Sequence, residues 1–195
     1  MLEVESKNNS LVTLHVNEFT DASAKIFYEE FEKAYVKEQP VVPVIINSYG
    51  GQVDSLLVMI DTILSYQAHI GQVATVCLGK AMSCGSILLG FGSIGHRYCA
   101  PNARGMIHQF RSGAWGPVCS IETSAAETRH LNNRVYKLLA KHCKQPNNFY
   151  LDLIDNNKNE DIYLTPEQLK GLKLVDELKV PHFSLQQTSE VLINF

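Results

Sequence analysis

The sequence of 195 residues lacks several features that would point to particular classes of protein. No uninterrupted apolar run approaches the roughly 20 residues that span a membrane, so no membrane association is expected. The net charge of -3 at pH 7 gives no excess of positive charge, which argues against nucleic acid as a partner. The N-terminus has neither the basic flank nor the apolar segment of a secretory signal. We therefore expect a soluble, cytoplasmic protein.

The cysteines show no pattern of a metal site or a disulfide framework. They are odd in number and lack C-x-x-C spacing: Cys77, Cys84, Cys99, Cys119 and Cys143. Three of them lie in apolar surroundings, where a cysteine is usually a small buried hydrophobic residue. We therefore expect no metal, no cofactor and a reducing compartment.

The alternation of apolar runs with helical patterns predicts an α/β fold. Apolar or alternating runs at residues 11–16, 41–46 and 73–78 predict strands, and amphipathic stretches between them predict helices. Strands separated by helices form βαβ units with a mainly parallel sheet. Pro43 lacks an N–H group, so an edge or a bulge is expected at that point of the second strand. A long helix is predicted over roughly residues 120–142, after this core.

Residues 79–86 (GKAMSCGS) join the third predicted strand to the next helical pattern and place Ser83 at the turn. A hydroxyl at such a turn lies close to the free N–H groups of a helix start, which suits a nucleophile beside an anion-binding site. The same position suits an ordinary N-cap serine, which is commoner among proteins. These residues alone leave both interpretations open.

A serine nucleophile needs a base, and His108 is the best candidate because it ends an apolar strand. His15 and His96 are weaker candidates, and the alternative for His108 is a histidine satisfied by hydrogen bonds in the core. The second ring nitrogen of such a base needs an acceptor, for which Asp161 is the candidate. The alternative for Asp161 is a solvated charge in a loop.

Backbone N–H groups are the expected donors to an oxyanion. The Gly50-Gly51 turn allows close approach to a ligand, since neither residue carries a side chain. The N–H of Cys84, directly after Ser83, is the natural second donor.

Several blocks of the sequence carry a family resemblance. Residues 46–51 (INSYGG) match an I-N-S-P-G-G turn, and residues 79–85 match a G-x-A-x-S-x-G motif. Residues 97–109 nearly complete an R-x-C-x-P-N-S/A-x-x-M-I-H-Q block, and Asp161 precedes an aromatic-Leu-Thr stretch. Residues 174–176 give a Leu-Val-Asp ending. In these blocks the sequence resembles the proteolytic subunit of the Clp protease (ClpP), a serine peptidase family on the crotonase-like fold.

The resemblance covers roughly residues 10–180 and implies a serine endopeptidase that cleaves peptides or unfolded proteins through an acyl-enzyme. It implies a role for five residues: Ser83 as the nucleophile, His108 as the base, Asp161 as the orienting acid, and the N–H groups of Gly51 and Cys84 as the oxyanion hole.

The resemblance also implies an assembly. Members form two heptameric rings around a chamber, so a homo-oligomer, a tetradecamer, is expected, with a Clp-type ATPase as a partner. A handle region over about residues 110–145 would join the rings, and residues 112–116 would form a strand beside the substrate. We expect a single peptidase domain over residues 1–180 and a C-terminal tail over residues 181–195.

Four departures from the family pattern affect these expectations. Tyr49 replaces the proline of the first motif, and the family's docking aromatics are absent around Pro43 and Ile45. Glu160 stands where the family has an arginine used between rings, and the segment before Leu11 is short. They leave open whether an ATPase docks and whether one ring or two form.

Two alternatives to an active peptidase remain. The first is a catalytically inactive or accessory subunit of a chamber, and the second is an acyl-CoA enzyme of the crotonase fold. The presence of Ser83, His108 and Asp161 together argues against both, because neither alternative uses the set.

Overall fold

In a computed structural model, residues 10–158 and 160–184 are described. Within them the chain forms a mixed sheet and six helices. The strands are β1 (Leu14–Val16), β2 (Val41–Ser48), β3 (Gln72–Met82), β4 (Arg97–Cys99), β5 (Arg104–Ile107) and β6 (Ile162–Leu164). The helices are α1 (Asp21–Val36), α2 (Val53–His69), α3 (Cys84–Gly90), α4 (Val118–His142), α5 (Phe149–Asn156) and α6 (Pro166–Gly171).

The sheet is parallel except at one edge, which confirms the predicted α/β class. Its strands follow the order β1-β2-β3-β5-β6, and β4 pairs with an earlier stretch of β3 than β5 does. Among the strands of the described residues, β5 and β6 alone run antiparallel. Because β1-α1-β2-α2-β3 alternate, the crossover helices cover the sheet, and α1 packs on α2 through Phe31 and Tyr66, whose ring centroids lie 5.2 Å apart.

Parallel pairing brings the ends of several strands to one edge of the sheet. β2 ends in the Gly50-Gly51 turn, and β3 ends immediately before Ser83. Met82 is the register partner of Met106 on β5, so His108 follows β5 at the same edge. Open parallel sheets bind ligands at such carboxyl ends of their strands.

The expectation of an edge at Pro43 is met locally, whereas the alternative of a bulge at that residue is not. β2 lies inside the sheet, and its irregularity falls between Ile46 and Ser48. Proline is tolerated because β1 is short: it pairs only with residues 44–46, so at Pro43 the strand is bordered by β3 alone, where Ala74 is the partner.

The first half of α4 stands away from the core. No residue from 111 to 131 is buried, whereas Asn132, Val135 and Tyr136 are. Residues 112–116 form an exposed loop and not the strand implied by the resemblance, because the loop has no neighbouring strand among the described residues. The expected tail lies outside the described residues beyond residue 184, as does the segment before residue 10.

Arg97 fixes the segment after α6 to the sheet. Its guanidinium is 2% exposed and donates to the Asp176 carboxylate and to the Lys173 carbonyl oxygen. Burial alone would raise the pKa of Asp176, but the hydrogen bonds and charge of Arg97 outweigh it and hold that pKa below its usual value. The ion pair between Arg97 and Asp176 therefore holds the Leu-Val-Asp ending against β4.

No helix among the described residues combines the length and apolar character needed to cross a membrane.

Candidate active site

Ser83 lies at the turn from β3 into α3, in a backbone conformation that non-glycine residues rarely adopt. Its φ is 53° and its ψ is -120°, and its N–H donates to the Met106 carbonyl oxygen at 2.8 Å. Its side chain makes no capping hydrogen bond to α3 within the described chain, so the interpretation of Ser83 as an ordinary N-cap is wrong. Backbone strain of this kind persists where the surrounding structure fixes it, and it clusters at functional sites.

The hydroxyl of Ser83 contacts the imidazole of His108. Ser83 Oγ lies 2.8 Å from His108 Nε2, within hydrogen-bond distance. The imidazole is packed against its neighbours, with the residue only 9% exposed. His15, on β1, and His96, in the loop before β4, make no such contact with Ser83. The structure therefore brings together the serine and the histidine that were singled out from the sequence.

The environment of His108 favours the neutral imidazole. Burial lowers its pKa below the usual value, because a charged imidazolium is poorly solvated there. The charge of Arg111 acts in the same direction, while the Gln109 peptide group and the Asp161 carboxylate oppose it. A neutral histidine can accept a proton from Ser83, which is the requirement for a general base.

The second ring nitrogen of His108 has no hydrogen-bond partner among the described residues. His108 Nδ1 is buried, and the Asp161 carboxylate instead forms an ion pair with the Arg111 guanidinium. Arg111 is mostly exposed and Asp161 is partly buried. The structure thus joins Ser83 to His108 but leaves Asp161 on a different partner.

The sheet nevertheless brings Asp161 close to His108. In the antiparallel pair, Ile107 of β5 faces Ile162 of β6. Continuing that register by one residue sets His108 opposite Asp161, and directly opposed residues of antiparallel strands have Cβ atoms about 5 Å apart. In the structure, however, the Asp161 carboxylate is paired with Arg111 and not with His108.

The Gly50-Gly51 turn packs directly against the serine. A Cβ atom built on Gly50 would lie 2.8 Å from Ser83 Cβ and 3.2 Å from the Cys84 nitrogen. Both glycines have positive φ, 102° and 154°. Among the described residues, neither the Gly51 nor the Cys84 N–H donates to a protein acceptor. Two free amides therefore belong to segments in contact at the nucleophile, as an oxyanion hole requires.

The Cys84 thiol is a structural group. Cys84 is 1% exposed, and its Sγ lies 3.3 Å from the Gly51 carbonyl oxygen, which connects the α3 turn to the glycine turn. Burial raises the pKa of the thiol, which disfavours the reactive thiolate. Within the described chain no group of three histidine, cysteine or acidic side chains is arranged to hold a metal ion.

Three side chains at the site were not singled out from the sequence. Arg111 pairs with Asp161, and the α4 residues Asn132 and Tyr136 hydrogen-bond to the backbone around His108. The four-residue spacing of Asn132 and Tyr136 puts them on one face of a helix, but nothing in the sequence indicates which segment that face contacts.

Comparison with known protein families identifies the family of the chain. The model of a family described as Clp protease matches residues 12–181, which include every element of the fold and all of the site described above.

Proposed function

The chain belongs to the Clp protease family, and on that premise we propose that it is a serine endopeptidase acting inside an oligomeric chamber. The observation that carries the proposal is the 2.8 Å contact between Ser83 Oγ and His108 Nε2 at the carboxyl edge of the sheet. Proteins of this family generally form oligomeric rings that take peptide substrates. We therefore propose peptides or unfolded proteins as the substrates.

The proposed reaction is acyl transfer through the serine. Ser83 Oγ attacks the carbonyl carbon of a peptide bond while His108 Nε2 accepts the hydroxyl proton. The histidine then gives that proton to the departing amine, which leaves an ester between Ser83 and the acyl part of the substrate. Water then attacks the ester carbonyl carbon while His108 accepts one of its protons. The bond between the acyl carbon and Ser83 Oγ breaks, His108 returns the proton to Ser83 Oγ, and the carboxylic acid leaves. Because burial lowers the pKa of His108, the base is in its neutral form at neutral pH.

The N–H groups of Gly51 and Cys84 are the proposed donors to the oxyanion of each tetrahedral intermediate. Their support is the packing of the glycine turn against Ser83 and the absence of another acceptor for either amide among the described residues. Donors fixed before the reaction stabilise the developing charge without reorganising, and one such donor contributes about 10²- to 10³-fold to the rate.

Asp161 is the proposed orienting acid for His108. Support comes from the strand register, in which the last pair, Ile107 and Ile162, directly adjoins the two residues, and from the unpartnered His108 Nδ1. A buried nitrogen without a partner is costly, by about 1–3 kcal/mol. In the active arrangement the Asp161 carboxylate would accept a hydrogen bond from Nδ1 and fix the tautomer that leaves Nε2 free to act as the base.

Exposed apolar side chains around the start of α4 favour an assembly. Trp115 is fully exposed, Val118 is 72% exposed and Ile121 is 41% exposed. They lie together on the part of the chain that stands away from the core, where contact with another subunit would cover them. We propose that this region joins two heptameric rings, and that a Clp-type ATPase, if one binds, delivers substrate to them.

Labelling with a fluorophosphonate tests the proposed function. The reagent reacts with an activated serine, so we expect one phosphonyl group per subunit, attached to Ser83 and located by mass spectrometry of peptides. Protein unfolded in urea is the control and should not react, because the histidine no longer activates the hydroxyl. An adduct on another residue, or no adduct in the assembled protein, contradicts the proposal; the latter result favours an inactive chamber subunit.

Replacing Arg111 with glutamine is expected to raise kcat by about two- to five-fold. An exposed ion pair contributes up to about 1 kcal/mol, which is a factor of about five in an equilibrium constant at 25 °C. Loss of the Arg111 guanidinium therefore raises the ratio of molecules with Asp161 on His108 to those without by about five-fold at most. The measurement is steady-state hydrolysis of a fluorogenic peptide. Arg134→Gln is the matched control, since Arg134 is exposed on α4 and has no ion pair among the described residues. A fall in kcat for Arg111→Gln, with the control unchanged, would show that Arg111 supports the active arrangement.

A further inference from the structure

We propose that Tyr136, on the buried half of α4, is a positioning residue that sets the orientation of His108 toward Ser83. The proposal rests on the function proposed above and adds a part of the machinery that lies outside the Ser83-His108-Asp161 set. Tyr136 touches neither substrate nor reacting atoms; it acts through the backbone of the histidine.

The contact is a hydrogen bond from a buried phenol to the histidine main chain. Tyr136 Oη donates to the His108 carbonyl oxygen at 2.7 Å, and Tyr136 is 1% exposed. Burial raises the pKa of the phenol, so it is protonated and acts as a donor at neutral pH. The Tyr136 ring also packs against Phe110, with ring centroids 5.7 Å apart.

A second α4 side chain holds the other end of the same short segment. Asn132 Oδ1 accepts a hydrogen bond from the Phe110 N–H at 2.9 Å, and Asn132 is 4% exposed. Residues four apart lie on the same face of a helix, so one face of α4 holds both His108 and Phe110. The intervening Gln109 has no contact of this kind with α4 among the described residues.

These two bonds matter because the sheet no longer fixes the chain at this point. β5 ends at Ile107, and the pair of Ile107 with Ile162 is the last one of the β5-β6 ladder. Beyond it, α4 supplies the partners that the His108 carbonyl and the Phe110 N–H would otherwise lack. The direction in which the His108 side chain leaves the backbone therefore depends on α4, and a displacement of about 1 Å at a reacting group can cost 10²-fold in rate.

The variant Tyr136→Phe tests the proposal by removing one oxygen atom. We expect kcat for a fluorogenic peptide to fall about ten-fold while KM changes less than two-fold, since substrate contacts are untouched. The rate of fluorophosphonate labelling at Ser83 should fall in parallel, because acylation needs the same alignment of His108.

Tyr150→Phe is the matched control. Tyr150 is fully buried in the same aromatic cluster, and its hydroxyl donates to the Leu172 carbonyl oxygen at 2.8 Å, away from the active site. Each variant loses the hydroxyl hydrogen bond of a buried tyrosine, so their melting temperatures should fall by similar amounts. Only Tyr136→Phe should lose turnover and labelling rate.

Asn132→Ala provides a second arm if Tyr136→Phe does not fold. This variant leaves the Phe110 N–H without its acceptor, so kcat should again fall while KM stays nearly constant. Asn133→Ala is its control, because Asn133 is exposed, and it should behave as the parent protein. Equal kcat values for Tyr136→Phe and Tyr150→Phe, or an effect on KM alone, would overturn the positioning role. If the parent protein neither hydrolyses peptide nor labels at Ser83, the proposed function has failed instead, and the two failures are distinguishable.

Discussion

Ser83→Ala is expected to lower kcat/KM for peptide hydrolysis by about 10³-fold or more, leaving KM little changed. In the proposed mechanism the hydroxyl oxygen of Ser83 forms the ester, and its 2.8 Å contact with His108 Nε2 activates it. Without that oxygen the acyl-enzyme cannot form, and the remaining rate comes from direct attack of water on a substrate carbonyl that the oxyanion donors stabilise. Hydrolysis of a fluorogenic peptide and fluorophosphonate labelling together measure the loss.

Two further variants make the Ser83 result specific. Ser120→Ala removes an exposed hydroxyl from the first turn of α4 and should leave activity unchanged. The thiol of the adjacent Cys84 is the alternative nucleophile, but it is buried and burial raises its pKa. The double variant Ser83→Ala/Cys84→Ala should therefore show the same residual rate as Ser83→Ala alone. Near-normal hydrolysis by Ser83→Ala would contradict the proposed mechanism outright.

The architecture was predictable because local patterns agree with the tertiary structure in the first hundred residues. The apolar runs at residues 41–46 and 73–78 became the two central strands, and the alternation with helices gave the parallel sheet. Lengths were less predictable. β3 continues through Lys80 to Met82, since pairing with β5 holds it extended, and β5 is supplied by a segment more than twenty residues later. No local pattern contains that information.

The site shows the same division between local and tertiary information. Ser83 and His108 could be identified because each lies where a predicted strand ends, and the structure joins them. The choice between an N-cap and a nucleophile was open in the sequence, since it depends on the φ and ψ of Ser83 and on where the hydroxyl points. The pairing of Arg111 with Asp161 was not predictable, because it depends on the path of an exposed loop between β5 and α4.

Gly50→Ala is expected to lower kcat about 10²-fold, although position 50 carries no functional side chain. The added methyl group would lie 2.8 Å from Ser83 Cβ and 3.0 Å from the Met82 carbonyl oxygen, closer than Cβ atoms normally approach other groups. The neighbours are backbone or the nucleophile itself, so relief requires the glycine turn and Ser83 to separate. A separation of about 1 Å at the reacting centre is enough for a 10²-fold loss. It also moves the Gly51 N–H relative to Cys84.

The positive φ of Gly50 adds a cost in stability that must be separated from the effect on catalysis. Gly95→Ala is the matched control, because Gly95 has a similar φ of 88° but open space around the position of its Cβ. An alanine with positive φ lowers the free energy of unfolding by about 1–3 kcal/mol in each variant, so the melting temperatures of both should fall by comparable amounts. Only Gly50→Ala should lose kcat and the rate of fluorophosphonate labelling, measured at a temperature where both variants remain folded. Equal activity of the two variants would mean that the glycine turn can retreat without disturbing Ser83, and the assignment of the Gly51 N–H to the oxyanion hole would then be wrong.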